Sequence, residues 1–330
     1  KSTSTSKNSK KRTMTADRWK RLALVISFII ASFIPLFPVI FADTATTTVA
    51  VTNEKPYILS ASMNVFVNTG DSAITLSENT TVQVVCNATV NDPNGPGDIS
   101  VVNATLFDNV SVSGPGVADD NNNHYTNTSC TLFAGSGTSR GAACEFSVQY
   151  YANNATWSCN MSALDSGATH NSSYTYKNVN LLVALNVPAT IDFGTITPGQ
   201  NSSNIKVNIT NTGNDIIDLS VYGFANNFTT SDNAMNCTNG FNISLGYMRY
   251  NVTARFGATF CLPSDFNYTY GYWNLTNSSN AKNWTQFSLG ERQSETLESR
   301  NETCWVLQVP TGAGGTCRGI VSFTAFANEA

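Results

Sequence analysis

Eight cysteines set the terms for this chain of 330 residues, because they fall into two groups of four: Cys86, Cys130, Cys144 and Cys159, then Cys237, Cys261, Cys304 and Cys317. None belongs to a C-x-x-C pair, and the two histidines, His124 and His170, stand far apart in polar sequence, so zinc-ligand spacing is missing. An even number of cysteines without metal spacing reads as disulfides, with three connectivities open within each group. Cys86 and Cys159 are separated by much of the first group's span and both fall on apolar strand faces, which suits a Cys86–Cys159 bridge between two sheets. Cys130 and Cys144 flank a Gly/Ser-rich loop, and Cys304 and Cys317 flank the turn at 311–316. Hairpin bridges Cys130–Cys144 and Cys304–Cys317 follow, leaving Cys237–Cys261. Two separately stapled domains are the expectation, and the length accommodates two cores.

The first 42 residues have a different character. Eight of the 18 Lys+Arg lie within residues 1–21, and an uncharged run occupies 22–42. A basic segment followed by an apolar one is the pattern of an export signal. The run also matches the ~20 residues that span a bilayer, so a cleaved signal peptide and a retained signal anchor both stay open. Either way, the positive-inside rule puts residue 43 onward outside the cytoplasm. Membrane contact is expected only through this N-terminal segment, if it is uncleaved. The remainder has 10 basic against 21 acidic residues, a formal charge of −11, which argues against nucleic acid as a partner.

Charged residues are only 12% of the composition, against about 25% in an average soluble protein. The solvation that charge does not supply has another source in 19 N-x-[ST] sequons, none of which precedes the export segment. They are Asn79, Asn87, Asn103, Asn109, Asn127, Asn154, Asn160, Asn171, Asn201, Asn208, Asn227, Asn236, Asn242, Asn251, Asn267, Asn274, Asn277, Asn283 and Asn301. N-linked glycans are the only attached groups expected, and no other cofactor is indicated.

Period-2 alternation tests the sequons against the hydrophobic pattern, since a half-buried strand shows successive side chains to opposite faces. In residues 80–90 the inward set is Val82, Val84, Cys86, Ala88 and Val90, with Asn87 outward; in 154–161 it is Trp157, Cys159 and Met161, with Asn154 and Asn160 outward. The same phase holds in 100–106, where Asn103 faces out, and in 204–210, where Asn208 does. No amphipathic helix follows residue 43. Short strands between Gly, Pro, Asn and Asp turns predict an all-β chain of two tandem β-sandwiches after an N-terminal hydrophobic export helix. The domains are placed at 1–42 (export), 43–187 (first sandwich, with an N-terminal strand at 43–55) and 188–330 (second sandwich). So short a linker predicts a nearly rigid pair.

Candidate chemistry is sparse. Gly137-Thr138-Ser139-Arg140-Gly141 matches G-x-S-x-G, but it lies in a loop between Cys130 and Cys144 and not at a strand-to-helix turn. Asp92, Asn94 and Asp98 place oxygen ligands in one loop without the spacing or terminal Glu of a known calcium loop, and a Pro/Asn-Gly turn needs the same residues. The turn reading is preferred there and for residues 119–123. The aromatic stretch 266–284 would make either a stacking platform for sugars or a satellite core beneath a glycosylated loop, and its sequons favour the latter. No catalytic, cofactor-binding or metal-ligating residue is assigned, and an enzyme is not expected.

Residues 84–106, VVCNATVNDPNGPGDISVVNATL, resemble the immunoglobulin-like modules of prokaryotic surface proteins, with Trp157 where antibody domains place a tyrosine before the second cysteine. In the second domain IDFGTITPGQ (191–200), NITNTGNDIIDLSVYG (208–223) and VPTGAGGTCRGIVSFTAFA (309–327) are similar to the sandwich modules of archaeal surface-layer and pilus-like glycoproteins and of TasA-like fibre subunits. The resemblance implies an extracellular, cell-surface structural subunit whose partners are copies of itself. An adhesin or receptor-like surface glycoprotein, cellular or viral, is the alternative. The Thr-rich segment 44–53, with Val49 and Val51 in alternating phase, has the composition of a strand able to add to a neighbour's open edge.

Overall fold

The computed structural model describes residue 20 and residues 44–226, 228–252, 261 and 272–328. The expected export helix therefore lies outside the described residues apart from Lys20, and no helix among them is long and apolar enough to cross a membrane. The chain divides into two units, Lys1–Thr52 and Asn53–Ala330. Both sandwiches belong to the second.

The first sandwich is built from β1 Tyr57–Ile58, β2 Asn64–Phe66, β3 Thr81–Asn91, β4 Ile99–Asp108, β5 His124–Asn127, β6 Thr131–Ser136, β7 Ser139–Gln149, β8 Thr156–Asp165 and β9 His170–Asn178. One sheet runs β1-β3-β7-β6 with β2 also on β3, and the other runs β5-β4-β8-β9. Their facing residues follow the alternation seen in the sequence: Val84, Cys86, Ala88 and Val90 from β3 meet Val102, Ala104 and Leu106 from β4 and Trp157, Cys159 and Met161 from β8 in one core. Cys86 and Cys159 join the two sheets through that core. Cys130 and Cys144 staple the start of β6 to β7. Trp157, fully buried, donates its indole N–H to Asn153 O at 2.9 Å, so its one polar atom is satisfied inside the core.

The second sandwich contains β10 Leu185–Asn186, β11 Ile205–Asn211, β12 Ile217–Phe224, β13 Asn233–Gly240, β14 Ile243–Ser244, β15 Met248–Val252, β16 Trp273–Asn274, β17 Lys282–Leu289, β18 Arg300–Leu307, β19 Ala313–Arg318 and β20 Ile320–Ala327. Its sheets are β10-β11-β18-β15-β16, β17-β12-β20 and β14-β13-β19. The passage from one core to the other comes slightly earlier than residue 187: Leu182 packs on the first core, Val183 and Leu185 on the second, and β10 pairs with β11. Strand β9 ends at Asn178, and the chain passes to the second core between Leu182 and Val183.

Two of the expected bridges are overturned. The structure pairs Cys237 with Cys317 and Cys261 with Cys304, in place of Cys237–Cys261 and Cys304–Cys317. The reason is topological. The Gly-rich turn after β18 is no hairpin: β18 lies in the five-stranded sheet while β19 crosses to β13, where Cys317 falls directly opposite Cys237. Strand β18 is buried on both faces, with Trp305 and Leu307 in the main core and Cys304 and Val306 in a satellite cluster with Tyr272 and Cys261. No disulfide joins one cysteine group to the other.

A tight turn at residues 211–215 holds the sandwiches together. The buried Asn211 amide lies 2.8 Å from Asp215 O, 3.0 Å from Leu289 O and 2.9 Å from Gly290 O. Gly213 approaches the domain crossover so closely that an added Cβ would sit 2.1 Å from Leu182 O. Asn214 then reaches into the first sandwich, donating to Ala152 O at 2.9 Å and accepting from Leu182 N at 2.7 Å. On the same junction Asn122 bonds to Tyr151 O and to Arg292 O, at 3.2 and 2.7 Å, and Arg292 stands 5.2 Å over the Tyr151 ring.

Non-reducing peptide mapping is expected to recover Cys237–Cys317 and Cys261–Cys304 peptides; a Cys304–Cys317 peptide would contradict the strand crossing. Asn211→Ala removes the buried amide that donates to the carbonyls around it and is expected to cost about 2–3 kcal/mol, measurable by denaturant unfolding.

Candidate functional site

Among the described residues the second sandwich has an open strand edge. Strand β20 pairs only with β12, in antiparallel register from Ile217↔Ala327 to Phe224↔Ile320, and its other edge has no strand partner among the described residues. Its core-facing residues Val321, Phe323 and Ala325 are only half-buried. Among the described residues, 15 partly buried apolar side chains rim the second core against five around the first, so the deficit belongs to this sandwich. Beside the edge lies a groove of about 680 Å³ lined by residues 187–193 and by Ala234, Met235, Val321 and Phe323. It adjoins a second groove of about 430 Å³ that shares Ile191, Phe193 and Met235 with it. A strand edge without a neighbour, beside a groove of mixed polar and apolar lining, is a place where an added strand can pair.

The segment singled out as a donor has the complementary deficit. Residues 44–56 form no strand, and Val49 and Val51 are 85% and 79% exposed. Near its end the segment is tied down: Asn53 Nδ2 donates to Asp165 Oδ2 at 2.9 Å, and Glu54 N donates to Asn94 Oδ1 at 2.7 Å.

The sequon residues lie where glycans can be carried. Asn227 and Asn267 fall outside the described residues, and none of the other 17 is buried. Asn103 on β4 and Asn208 on β11 are exposed, and Asn87 on β3 and Asn160 on β8 are half-buried, while their strand neighbours Cys86, Val102, Val207 and Cys159 are enclosed.

Two acidic loops with similar composition differ in structure. In 119–123 the chain satisfies its own carboxylates: Asp119 accepts from His124 and Thr126, and Asp120 from Asn122 and Asn123. His124, which the sequence placed in a polar loop, is fully buried on β5 and stacks on Phe107. In the other loop Asp92 and Asp98 converge with Asp165 from the end of β8, one carboxylate oxygen of each lying within 4.8 Å of the others. Burial by itself would raise the Asp165 carboxyl, but hydrogen bonds from Thr169 and Asn53 outweigh it and hold the group below the usual carboxylate range. Asp165 was missed from sequence because it is distant in the chain and no local pattern marks it.

The G-x-S-x-G match is a hairpin. Gly137, at φ 61°, turns β6 into β7, and the Ser139 hydroxyl bonds to the Asn91 side chain. The aromatic stretch is divided: Phe266, Tyr268 and Tyr270 lie outside the described residues, Tyr272 is buried in the satellite cluster with its phenol pushed up to about 12 by desolvation, and Trp284 enters the main core. Trp284 packs edge-on to Tyr250 and Trp273, in a core role and not on a flat platform.

All eight cysteines are paired, the usage of a chain that matures in an oxidising compartment. No protein-family profile matches the chain, and no curated protein does. Solved structures that align with it include one described as a chaperone–tip adhesin complex in CFA/I fimbriae biogenesis, at 8% identity over 84% of this chain and 92% of the other, TM-score 0.32. Another is a carbohydrate-binding module of the β-sandwich superfamily, at 9% identity over 84% and 98%, TM-score 0.23. A third is a DUF4466 family protein from Parabacteroides merdae, at 8% identity over 78% and 100%, TM-score 0.22. Likeness this distant is silent on what the chain binds.

Proposed function

We propose that the protein is a structural, non-catalytic subunit of an extracellular filament or surface layer, N-glycosylated, and assembled by strand addition between copies. The observation that carries this reading is the pair of matched deficits: a β20 edge without a strand partner among the described residues, beside a groove lined in part by Ile191, Phe193, Val321 and Phe323, and an exposed segment 44–52 whose Val49 and Val51 have no core of their own. A strand from one copy laid along β20 of the next buries both. The contact is head-to-tail, so it propagates unless the rotation closes a ring. The resemblance of the second domain to modules of archaeal surface-layer and pilus-like glycoproteins supports the same address.

Deleting residues 43–53 is expected to leave folded, disulfide-bonded monomers that no longer polymerise, as seen by electron microscopy and sedimentation. Phe323→Asp, which puts a charge into the groove, is expected to do the same from the acceptor side. Mixing the two variants should not restore fibres, since each chain then lacks a donor or an acceptor. Fibres of normal length from the deletion variant would refute the mechanism.

Glycopeptide mapping of native material is expected to find Asn87, Asn103, Asn160 and Asn208 occupied, because strand phase turns all four away from the core. Finding those four bare while loop sequons are occupied would count against a glycan coat as the source of solvation.

A further inference from the structure

One pole of the first sandwich holds three carboxylates, two of which the chain leaves incompletely satisfied. Asp92 follows β3, Asp98 precedes β4, and Asp165 ends β8. Asp92 is 0% exposed and Asp165 2%. One oxygen from each lies within 4.8 Å of the other two. The Oδ2 atoms of Asp92 and Asp98 are buried from solvent and accept no hydrogen bond. The ion pairs among the described residues, His124–Asp119 and Lys206–Glu302, lie elsewhere. Three converging acids, two of them with a buried, unpartnered oxygen, and no ion-pair partner are costly unless a cation compensates them.

The remaining oxygens are held as ligands of a metal are held by their supporting hydrogen bonds. Asp92 Oδ1 accepts from Asn94 N at 2.7 Å, and Asp98 Oδ1 from the Ser166 hydroxyl. Asp165 Oδ1 accepts from Thr169 N at 2.7 Å, and its Oδ2 from Asn53 Nδ2 at 2.9 Å and from the Thr169 hydroxyl. Each carboxylate is oriented by the chain while the unpartnered oxygens of Asp92 and Asp98 remain available.

We propose that Asp92, Asp98 and Asp165 form a calcium site. The donors are all hard oxygens, with neither His nor Cys, which selects against zinc and the softer metals. Calcium–oxygen distances of about 2.3–2.6 Å let one ion bridge oxygens up to about 5 Å apart and leave room for carbonyl or water ligands. The ion would join the β3–β4 turn to the β8–β9 turn. Through Asn53 on Asp165 and Glu54 on Asn94, it would also fasten the point where the N-terminal segment leaves the sandwich.

The test uses the full-length glycoprotein, stripped with EDTA and titrated with CaCl2, read by thermal unfolding and by calorimetry. An extracellular site of this kind is expected to saturate at about 0.1–1 mM and to raise the Tm by roughly 5 °C in 10 mM calcium. Asp92→Asn and Asp98→Asn are expected to abolish both the binding heat and the calcium-dependent shift. Their Tm in EDTA should equal or exceed that of the unsubstituted chain, because Asn keeps an acceptor for Asn94 N or Ser166 while removing a buried charge. Calcium binding unchanged in both variants would place the ion elsewhere, on glycans for instance, and overturn the proposal. Absence of any calcium response, or an Asp92→Asn variant destabilised equally with and without calcium, would overturn it as well and return the loop to a purely structural turn.

Discussion

Backbone hydrogen bonding is the constraint from which the rest of this structure follows. With charged residues scarce and no α-helix in either sandwich among the described residues, the cores are enclosed by strands, and each strand in the interior needs neighbours on both sides. Strand β18 shows the demand met: it pairs with β11 and β15 and is buried on both faces. Strand β20 shows it unmet, and the half-buried Val321, Phe323 and Ala325 are the side-chain consequence of that missing neighbour.

Polar side chains join the two sandwiches at their junction. Asn214, Asn122 and Arg292 each satisfy groups across the junction, and Gly213 allows the turn to press against the crossover. Such a junction is directional and transmits position. In a filament, where force passes from the donor segment through the first sandwich to the acceptor edge of the second, a hinge at the crossover would be a weakness. The Cys86–Cys159 bridge through the first core and Cys237–Cys317 across β13 and β19 staple the two bodies on either side of that junction.

The acidic pole of the first sandwich bears on the same path. Asn53 and Glu54 anchor the chain there, directly after the exposed segment. An ion bound to Asp92, Asp98 and Asp165 would stiffen the point from which the donor segment departs, linking extracellular calcium to the geometry of assembly.

The sequence alone determined whatever depends on local pattern. Alternation in β3, β4, β8 and β11 set which residues face inward, the cysteine grouping separated the two cores, and Cys86–Cys159 and Cys130–Cys144 followed from facing strands and a short hairpin. What it could not determine depends on which distant strands meet. Cys304 and Cys317 flank a Gly-rich turn that looks like a hairpin in one dimension, yet β19 leaves β18 for β13, and the pairing changes with it. Asp165 joins Asp92 and Asp98 only because β8 runs beside β4, and the open edge of β20 exists only as a property of the completed sheet. Local periodicity is written residue by residue, whereas strand order is settled by the competition of all strands for partners, and only the tertiary structure records the outcome.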